Sequence, residues 1–132
     1  MTFYASHTRE LRVLIVDDFA PMRELVGRSL ASLGISSISM AAGAVDAVQQ
    51  IKEGAHFDLI IADWNMPNMT GLELLQYVRS EQKLKDTPFL MITAEATKQN
   101  LIDAVKAGVS QYIVKPFTPA ALEEKIEAIL PK

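Results

Sequence analysis

Residues 11–33 read LRVLIVDDFAPMRELVGRSLASL and hold one complete strand, turn and helix. The apolar run at 11–16 is short and rich in Val, Leu and Ile, which is typical of a strand covered on both faces. Two aspartates follow it, and Pro21 then opens a stretch in which apolar residues recur with helical spacing. This order of elements predicts one unit of an α/β fold.

The same unit recurs to the end of the chain. Apolar runs that predict strands lie at 11–16, 38–41, 58–62, 88–93 and 111–115, and amphipathic stretches that predict helices lie at 21–33, 44–53, 72–81, 98–107 and 119–130. Thr118 is placed to cap the last helix, and glycines follow three others, namely Gly34, Gly54 and Gly108. Short loops between these units predict a doubly wound, five-stranded parallel sheet with helices on both faces.

Composition narrows the class of protein. A chain of 132 residues suffices for one domain. The net charge of −3 argues against binding of nucleic acid or of an anionic membrane by charge. Cysteine is absent from the sequence, which excludes thiol nucleophiles and thiolate metal sites. Because the sequence shows neither a membrane span nor a secretory signal, we expect a cytoplasmic protein.

Polar residues stand where four of the predicted strands end. Asp17 and Asp18 follow the first strand, Asp63 follows the third, and Thr93 and Lys115 close the fourth and fifth. Because the carboxyl ends of parallel strands share one edge of a sheet, we expect these side chains to converge. Lys115 offsets only one of the three negative charges, and a hard divalent ion with oxygen ligands would neutralise the remainder. Without histidine or cysteine in the set, the prediction is Mg²⁺.

A carboxylate, Mg²⁺, a hydroxyl and an ammonium are the parts that phosphoryl transfer uses, with Asp63 as the nucleophile and Thr93 and Lys115 on the transferred group. Taken singly, each aspartate also fits a helix cap or an Asx-turn, so the interpretation depends on their joint placement. A Mg²⁺-dependent phosphohydrolase stays open as an alternative. A flavin or dinucleotide carrier is disfavoured because no G-x-G-x-x-G follows the first strand.

Four segments resemble response-regulator receiver domains, and those of CheY-like chemotaxis regulators in particular. They are LIVDDFAPMREL (14–25), IIADWNMPNMTGLELL (60–75), FLMITAEA (89–96) and YIVKPFTPAAL (112–122). The likeness spans residues 12–130 and implies the flavodoxin-like strand order 2-1-3-4-5. We expect a receiver domain over 11–132 that follows an N-terminal extension at 1–10. Thr70 departs from the aspartate of many relatives, yet it keeps a hydroxyl that can cap the third helix.

The resemblance also implies how the site works. Asp63 would be phosphorylated by a CheA-like histidine kinase or a small phosphodonor. Mg²⁺ would be bound by Asp18, Asp63 and the backbone carbonyl of Asn65, and Asp17 would assist through water. The implied protein is a signalling switch and not a turnover enzyme, because it would catalyse only its own phosphorylation and slow dephosphorylation. A phosphatase is a further partner left open.

The switch implied by the resemblance couples the site to a distant surface. Thr93 would turn toward the phosphoryl group, Tyr112 would swing inward behind it, and Lys115 would bind a phosphate oxygen. The partner would be the N-terminal peptide of a FliM-like flagellar switch protein, bound by a monomer of this chain. Its surface would comprise Ala96, Lys98, Leu101, Tyr112, Val114 and Lys125. The alternative is a receiver that serves another two-component pathway, a phosphorelay or a phosphate sink.

Overall fold

The computed structural model describes residues 10–131, which form one parallel sheet and five helices. The strands are β1 (Arg12–Val16), β2 (Ser37–Ala41), β3 (Leu59–Asp63), β4 (Phe89–Thr93) and β5 (Gln111–Val114). The helices are α1 (Ala20–Ser32), α2 (Ala44–Lys52), α3 (Gly71–Ser80), α4 (Lys98–Ala107) and α5 (Pro119–Ile129). The predicted extension at 1–10 lies outside the described residues except for Glu10. In the described part, no helix is both long and apolar enough to cross a membrane.

The strands are arranged in the order β2-β1-β3-β4-β5, and all neighbours are parallel. This confirms the predicted fold and strand order. In the register, Asp63 on β3 faces Ile92 on β4, and Thr93 on β4 faces Val114 on β5. The ends of these strands therefore finish side by side at one edge of the sheet, where ligands of such folds bind.

The core has two layers, one on each face of the sheet. Val13 and Ile15 of β1 pack in the layer beneath α1 and α5, whereas Leu14 and Val16 pack in the layer beneath α2 and α3. Successive residues of a strand point to opposite faces, so a strand covered on both faces must be apolar throughout. The continuous apolar runs of the sequence thus give the sheet a fully buried centre, which holds the polar strand ends in place.

Side-chain hydroxyls cap three of the helices. Thr70 accepts from the backbone N–H of Glu73, and Oε1 of Glu73 accepts in return from the backbone N–H of Thr70, which makes a capping box. Thr97 and Thr118 cap α4 and α5 in the same manner, by accepting from the third residue of each helix. The predicted capping roles of Thr70 and Thr118 are therefore confirmed.

The third strand begins and ends one residue later than its predicted span of 58–62. Asp63 is the last residue of β3 and does not follow it. Asp58 stays outside the strand, and its carboxylate accepts from the backbone N–H of Arg12 at 2.9 Å. The shift fixes the backbone of Asp63 in the sheet itself. Similarly, β5 ends at Val114, and Lys115 still donates its N–H to the carbonyl of Thr93 at 2.8 Å.

Candidate functional site

Three carboxylates meet at the carboxyl edge of the sheet. Asp17 and Asp18 follow β1, Asp63 ends the neighbouring strand β3, and one oxygen from each lies within 4.8 Å of the others. Asp17 and Asp63 are buried, whereas Asp18 is exposed. The structure thus brings together the three acids that the sequence predicts to converge, and it opens the cluster to solvent on the side of Asp18.

Asp17 is held by backbone contacts on three sides. Its Oδ1 accepts from the N–H of Phe19 at 2.8 Å, its N–H donates to the carbonyl of Ala41 at 3.1 Å, and its carbonyl accepts from Nη1 of Arg23 at 2.6 Å. The other carboxylate oxygen, Oδ2, is buried and has no hydrogen-bond partner within residues 10–131. Because an unpartnered buried charge is costly, this oxygen is suited to a cation or to cation-bound water.

Lys115 forms an ion pair with Asp63, since its Nζ lies 3.2 Å from Oδ1 of Asp63. Burial is the largest influence on this carboxyl and raises its pKa, and Lys115 opposes the rise. Burial likewise raises the pKa of Asp17, against the opposing hydrogen bond from Phe19. Burial therefore disfavours the charged form of both carboxyls, and Lys115 offsets only part of this effect at Asp63.

The donor set of the cluster fits a hard cation. All three side chains offer carboxylate oxygens, and neither His nor Cys joins them among the described residues. Oxygen-only sets suit Mg²⁺ and Ca²⁺, whereas Zn²⁺ and copper favour nitrogen and sulfur. Asn65, whose carbonyl is a candidate ligand by resemblance, is exposed two residues after the end of β3. The residues present therefore fit Mg²⁺.

The hydroxyl of Thr93 is engaged within its own loop. Oγ1 donates to the carbonyl of Glu95 at 2.9 Å and accepts from the N–H of Glu95 at 3.1 Å. Nδ2 of Asn100, in the first turn of α4, donates to the same carbonyl at 3.3 Å. Thr93 stands at the predicted edge and is buried, but its hydroxyl must leave Glu95 before it can bind a ligand in the cluster.

Gly71, the first residue of α3, packs directly against the backbone of Asp63. A Cβ at position 71 would collide with the carbonyl oxygen of Asp63 and would lie 2.9 Å from Sδ of Met91. The N–H of Gly71 also donates to the carbonyl of Trp64 at 2.8 Å. Neither spacing nor turn chemistry in the sequence marks this glycine, because its role depends on the approach of two distant segments. The site thus has a neighbour that only the structure identifies.

The loop between β3 and α3 covers the core. Met66 is buried, and Trp64 and Met69 are partly buried against the apolar layer beneath α2 and α3. All three residues pack against this layer and therefore cover the core. Trp64 nevertheless directly follows Asp63 and its N–H donates to the carbonyl of Ile92 at 2.8 Å.

The family model described as the response regulator receiver domain matches residues 13–127. The chain belongs to the response regulator receiver family. Members of this family are signalling switches, and they generally bind Mg²⁺ at an acidic pocket of the kind that Asp17, Asp18 and Asp63 form here.

The relatives of this receiver include chemotaxis proteins. It is 46% identical over 121 residues to chemotaxis protein CheY-3 of Vibrio cholerae, with 92% of each chain covered. It is 45% identical over 119 residues to chemotaxis protein CheY of Pseudomonas aeruginosa, with 90% of this chain and 95% of that protein covered. The structure of Vibrio cholerae CheY4 at low pH matches with a TM-score of 0.85 and 34% identity, over 92% of this chain and all of that one. The receiver is therefore of the CheY type.

The residues that the resemblance assigns to partner binding lie on a different part of this receiver. They belong to the loop before α4, to α4 itself, to β5 and to α5. Ala96 and Lys98 are exposed, and the half-buried members are Leu101, Tyr112, Val114 and Lys125. The ring of Tyr112 lies beneath Lys125, whose Nζ is 5.8 Å from the ring centroid. The six residues thus include both apolar and basic side chains, and each is at least partly exposed.

The metal-free receiver should become more stable when Asp17 is replaced by Asn. The substitution removes a buried charge and keeps an oxygen that can accept from Phe19, so we expect a gain of about 1 kcal/mol at pH 7. The folded-state pKa of Asp17 lies above its unfolded value, so the folded protein binds more protons between the two. The wild type should therefore gain stability as the pH falls from neutral toward the raised pKa.

Urea unfolding in a chelator, from pH 7 to pH 4, measures both effects. Asp17→Asn should show a shallower dependence of unfolding free energy on pH than the wild type. Asp103→Asn, which removes a carboxylate of α4 outside the cluster, is the control. A loss of stability in Asp17→Asn at neutral pH would contradict the expectation.

Proposed function

We propose that this receiver is a single-domain phosphorylation switch of chemotaxis signalling. It accepts a phosphoryl group on Asp63 from a CheA-like histidine kinase in a Mg²⁺-dependent reaction, and phosphorylation changes its binding of a motor or motility partner. The observation that carries the proposal is the carboxylate cluster of Asp17, Asp18 and Asp63, with Lys115 at 3.2 Å from Asp63. Beyond its own phosphorylation and slow dephosphorylation, we expect no turnover of substrate.

Mg²⁺ would be bound by Asp18, Asp63 and the backbone carbonyl of Asn65, with Asp17 acting through water. Oδ2 of Asp17, which is buried and has no hydrogen-bond partner among residues 10–131, supports this assignment, because a cation-bound water would give it a donor. When bound, the ion would neutralise charge that develops on the transferred phosphoryl oxygens.

Asp63 would act as the nucleophile. One of its carboxylate oxygens forms the new O–P bond as the P–N bond of the kinase phosphohistidine breaks, and the leaving imidazole takes up a proton. The ammonium of Lys115 already lies beside Asp63, so it is placed to bind an oxygen of the phosphoryl group. Thr93 would exchange its hydrogen bond to Glu95 for one to the same group, and Tyr112 would move inward behind it.

The output surface would be formed by α4, β5 and α5. Lys98 and Lys125 supply positive charge, and Leu101 and Val114 supply apolar contacts. This combination suits a short peptide that carries acidic and apolar side chains. We propose the N-terminal segment of a FliM-like flagellar switch protein as that peptide, with Ala96 and Tyr112 completing the contact.

Mg²⁺ binding is expected to be visible in the fluorescence of Trp64, the only tryptophan of the chain. Titration of the wild type should give a saturable change because Trp64 directly follows Asp63. Asp18→Asn removes a ligand and should weaken the affinity by about tenfold or more, since even residues that only support a metal ligand cost about 10- to 100-fold. Asp103→Asn should bind as the wild type does. A wild type that fails to respond, or an Asp18→Asn variant of unchanged affinity, would argue against the metal site.

The switch itself is tested by binding of a fluorescent FliM-like N-terminal peptide. We expect beryllofluoride with Mg²⁺, a mimic of the phosphoryl group, to raise the affinity by about 5- to 150-fold, which is the usual range of coupling between two sites. Equal affinity with and without the mimic would refute the motor-binding switch. Phosphorylation without any peptide binding would instead favour another two-component pathway, a phosphorelay or a phosphate sink, and rapid turnover of phosphomonoesters would favour a phosphohydrolase.

A further inference from the structure

Two groups donate to one carboxamide oxygen on β5, a strand at the edge of the sheet. Oε1 of Gln111 accepts from the backbone N–H of Tyr112 at 3.1 Å and from Nζ of Lys125 at 3.4 Å. The same Nζ lies 5.8 Å from the centroid of the Tyr112 ring. Gln111 thus joins the backbone of the tyrosine to the ammonium that covers its ring.

Each contact favours the ring position seen in this structure. An ammonium over an aromatic face is attracted by the negative charge density of the ring. The carboxamide of Gln111 satisfies a backbone N–H on an edge strand and restrains a lysine side chain that would otherwise sample many rotamers. A movement of the ring away from Lys125 would lose this contact, so the arrangement opposes such a movement.

We propose that Gln111 is a positioning residue that holds Lys125 over Tyr112 and thereby sets how often the ring moves inward in the resting protein. The inference rests on the proposed switching role of Tyr112 and names residues that regulate it. Gln111 is not among the six residues assigned to the partner surface, and the ring position is measured with no partner present, so its effect on the ring is separate from partner binding.

The test uses the full chain labelled with 3-fluorotyrosine and ¹⁹F NMR. The sequence has three tyrosines, so Tyr112→Phe assigns the signal. Gln111→Met keeps the length of the side chain and removes the acceptor, and Lys125→Met removes the ammonium. We expect each to move the Tyr112 signal toward its position in beryllofluoride and Mg²⁺, which corresponds to a change of about two- to fivefold in the ratio of the two ring positions.

Because the two side chains act as a unit, the double variant should shift the signal no further than the larger single shift. Gln111→Glu retains an acceptor and should keep the wild-type signal, as should Lys106→Met on the exposed face of α4. An unshifted signal in Gln111→Met, or additive shifts in the double variant, would overturn the proposal. If beryllofluoride fails to move the wild-type signal, the proposed switching role of Tyr112 is wrong. The restraint of the ring by Gln111 and Lys125 is tested separately, by comparing the variants with the wild type in the absence of beryllofluoride.

Discussion

The Asp63→Asn variant should incorporate no phosphate from acetyl phosphate under conditions that phosphorylate the wild type. A carboxamide has nearly the same size and packing as a carboxylate, but it offers no anionic oxygen to attack phosphorus. Removal of a nucleophile lowers rates by on the order of 10⁶-fold, so phosphorylation of this variant should fall below detection. Intact-protein mass spectrometry with Mg²⁺ present measures the phosphorylated fraction directly.

Two variants sharpen this prediction. Asp103→Asn makes the same chemical change on α4 and should be phosphorylated at the wild-type rate. Lys115→Arg retains a positive charge beside Asp63 and should be phosphorylated, but it should signal poorly because the larger guanidinium cannot repeat the contact that Nζ makes at 3.2 Å. Phosphate incorporated into Asp63→Asn at the wild-type rate would place the nucleophile elsewhere.

Gly71→Ala should destabilise the fold and distort the site together. The added Cβ would overlap the carbonyl oxygen of Asp63, which belongs to a central strand and cannot retreat, and it would press on Met91 at 2.9 Å. Overpacking of a rigid core costs about 1–3 kcal/mol. Because the strained atom belongs to Asp63 itself, Mg²⁺ affinity should fall as well. Urea unfolding and Trp64 fluorescence measure the two effects on one sample.

Gly43 provides the matched control, since no described atom lies within 4 Å of a Cβ built there. Gly43→Ala should change the free energy of unfolding by less than about 1 kcal/mol, because a stiffer unfolded chain offsets a poorer helix cap. If Gly71→Ala proves as stable as Gly43→Ala and binds Mg²⁺ with wild-type affinity, the close approach of α3 to Asp63 is not needed for stability or for metal binding.

The fold follows from the sequence because its signals are local and agree with one another. The central strands β1, β3 and β4 are mainly apolar runs, and the helices have apolar faces and end signals, such as Thr118 before α5. The observed ends of some elements differ from the predicted ends by one residue, where a contact with a distant part of the chain determines the boundary. The carboxylate of Asp58, for example, accepts from the N–H of Arg12, and β3 begins one residue later, at Leu59.

The site is predictable to the extent that topology alone places it. Asp17, Asp18 and Asp63 meet because parallel strands end together. Other contacts depend on side-chain conformations and on distant segments. They are the hydrogen bond of Thr93 to Glu95, that of Arg23 to the carbonyl of Asp17, and that of Lys125 to Gln111. No spacing in the sequence encodes these contacts, so they had to be seen in three dimensions.

The two hydrogen bonds between Thr93 and Glu95 should keep the Thr93 hydroxyl in place when free anions enter the site of the resting protein. Each such bond contributes about 0.5–1.5 kcal/mol net. A ligand that binds the Thr93 hydroxyl must therefore offset the loss of both bonds to Glu95. We expect a sulfate or chloride ion that enters the site briefly to leave both hydrogen bonds in place. A covalently attached group, fixed in place with its full charge, does not have to find the hydroxyl by chance. The switch would thus respond to covalent phosphorylation of Asp63 and not to the concentration of free anions.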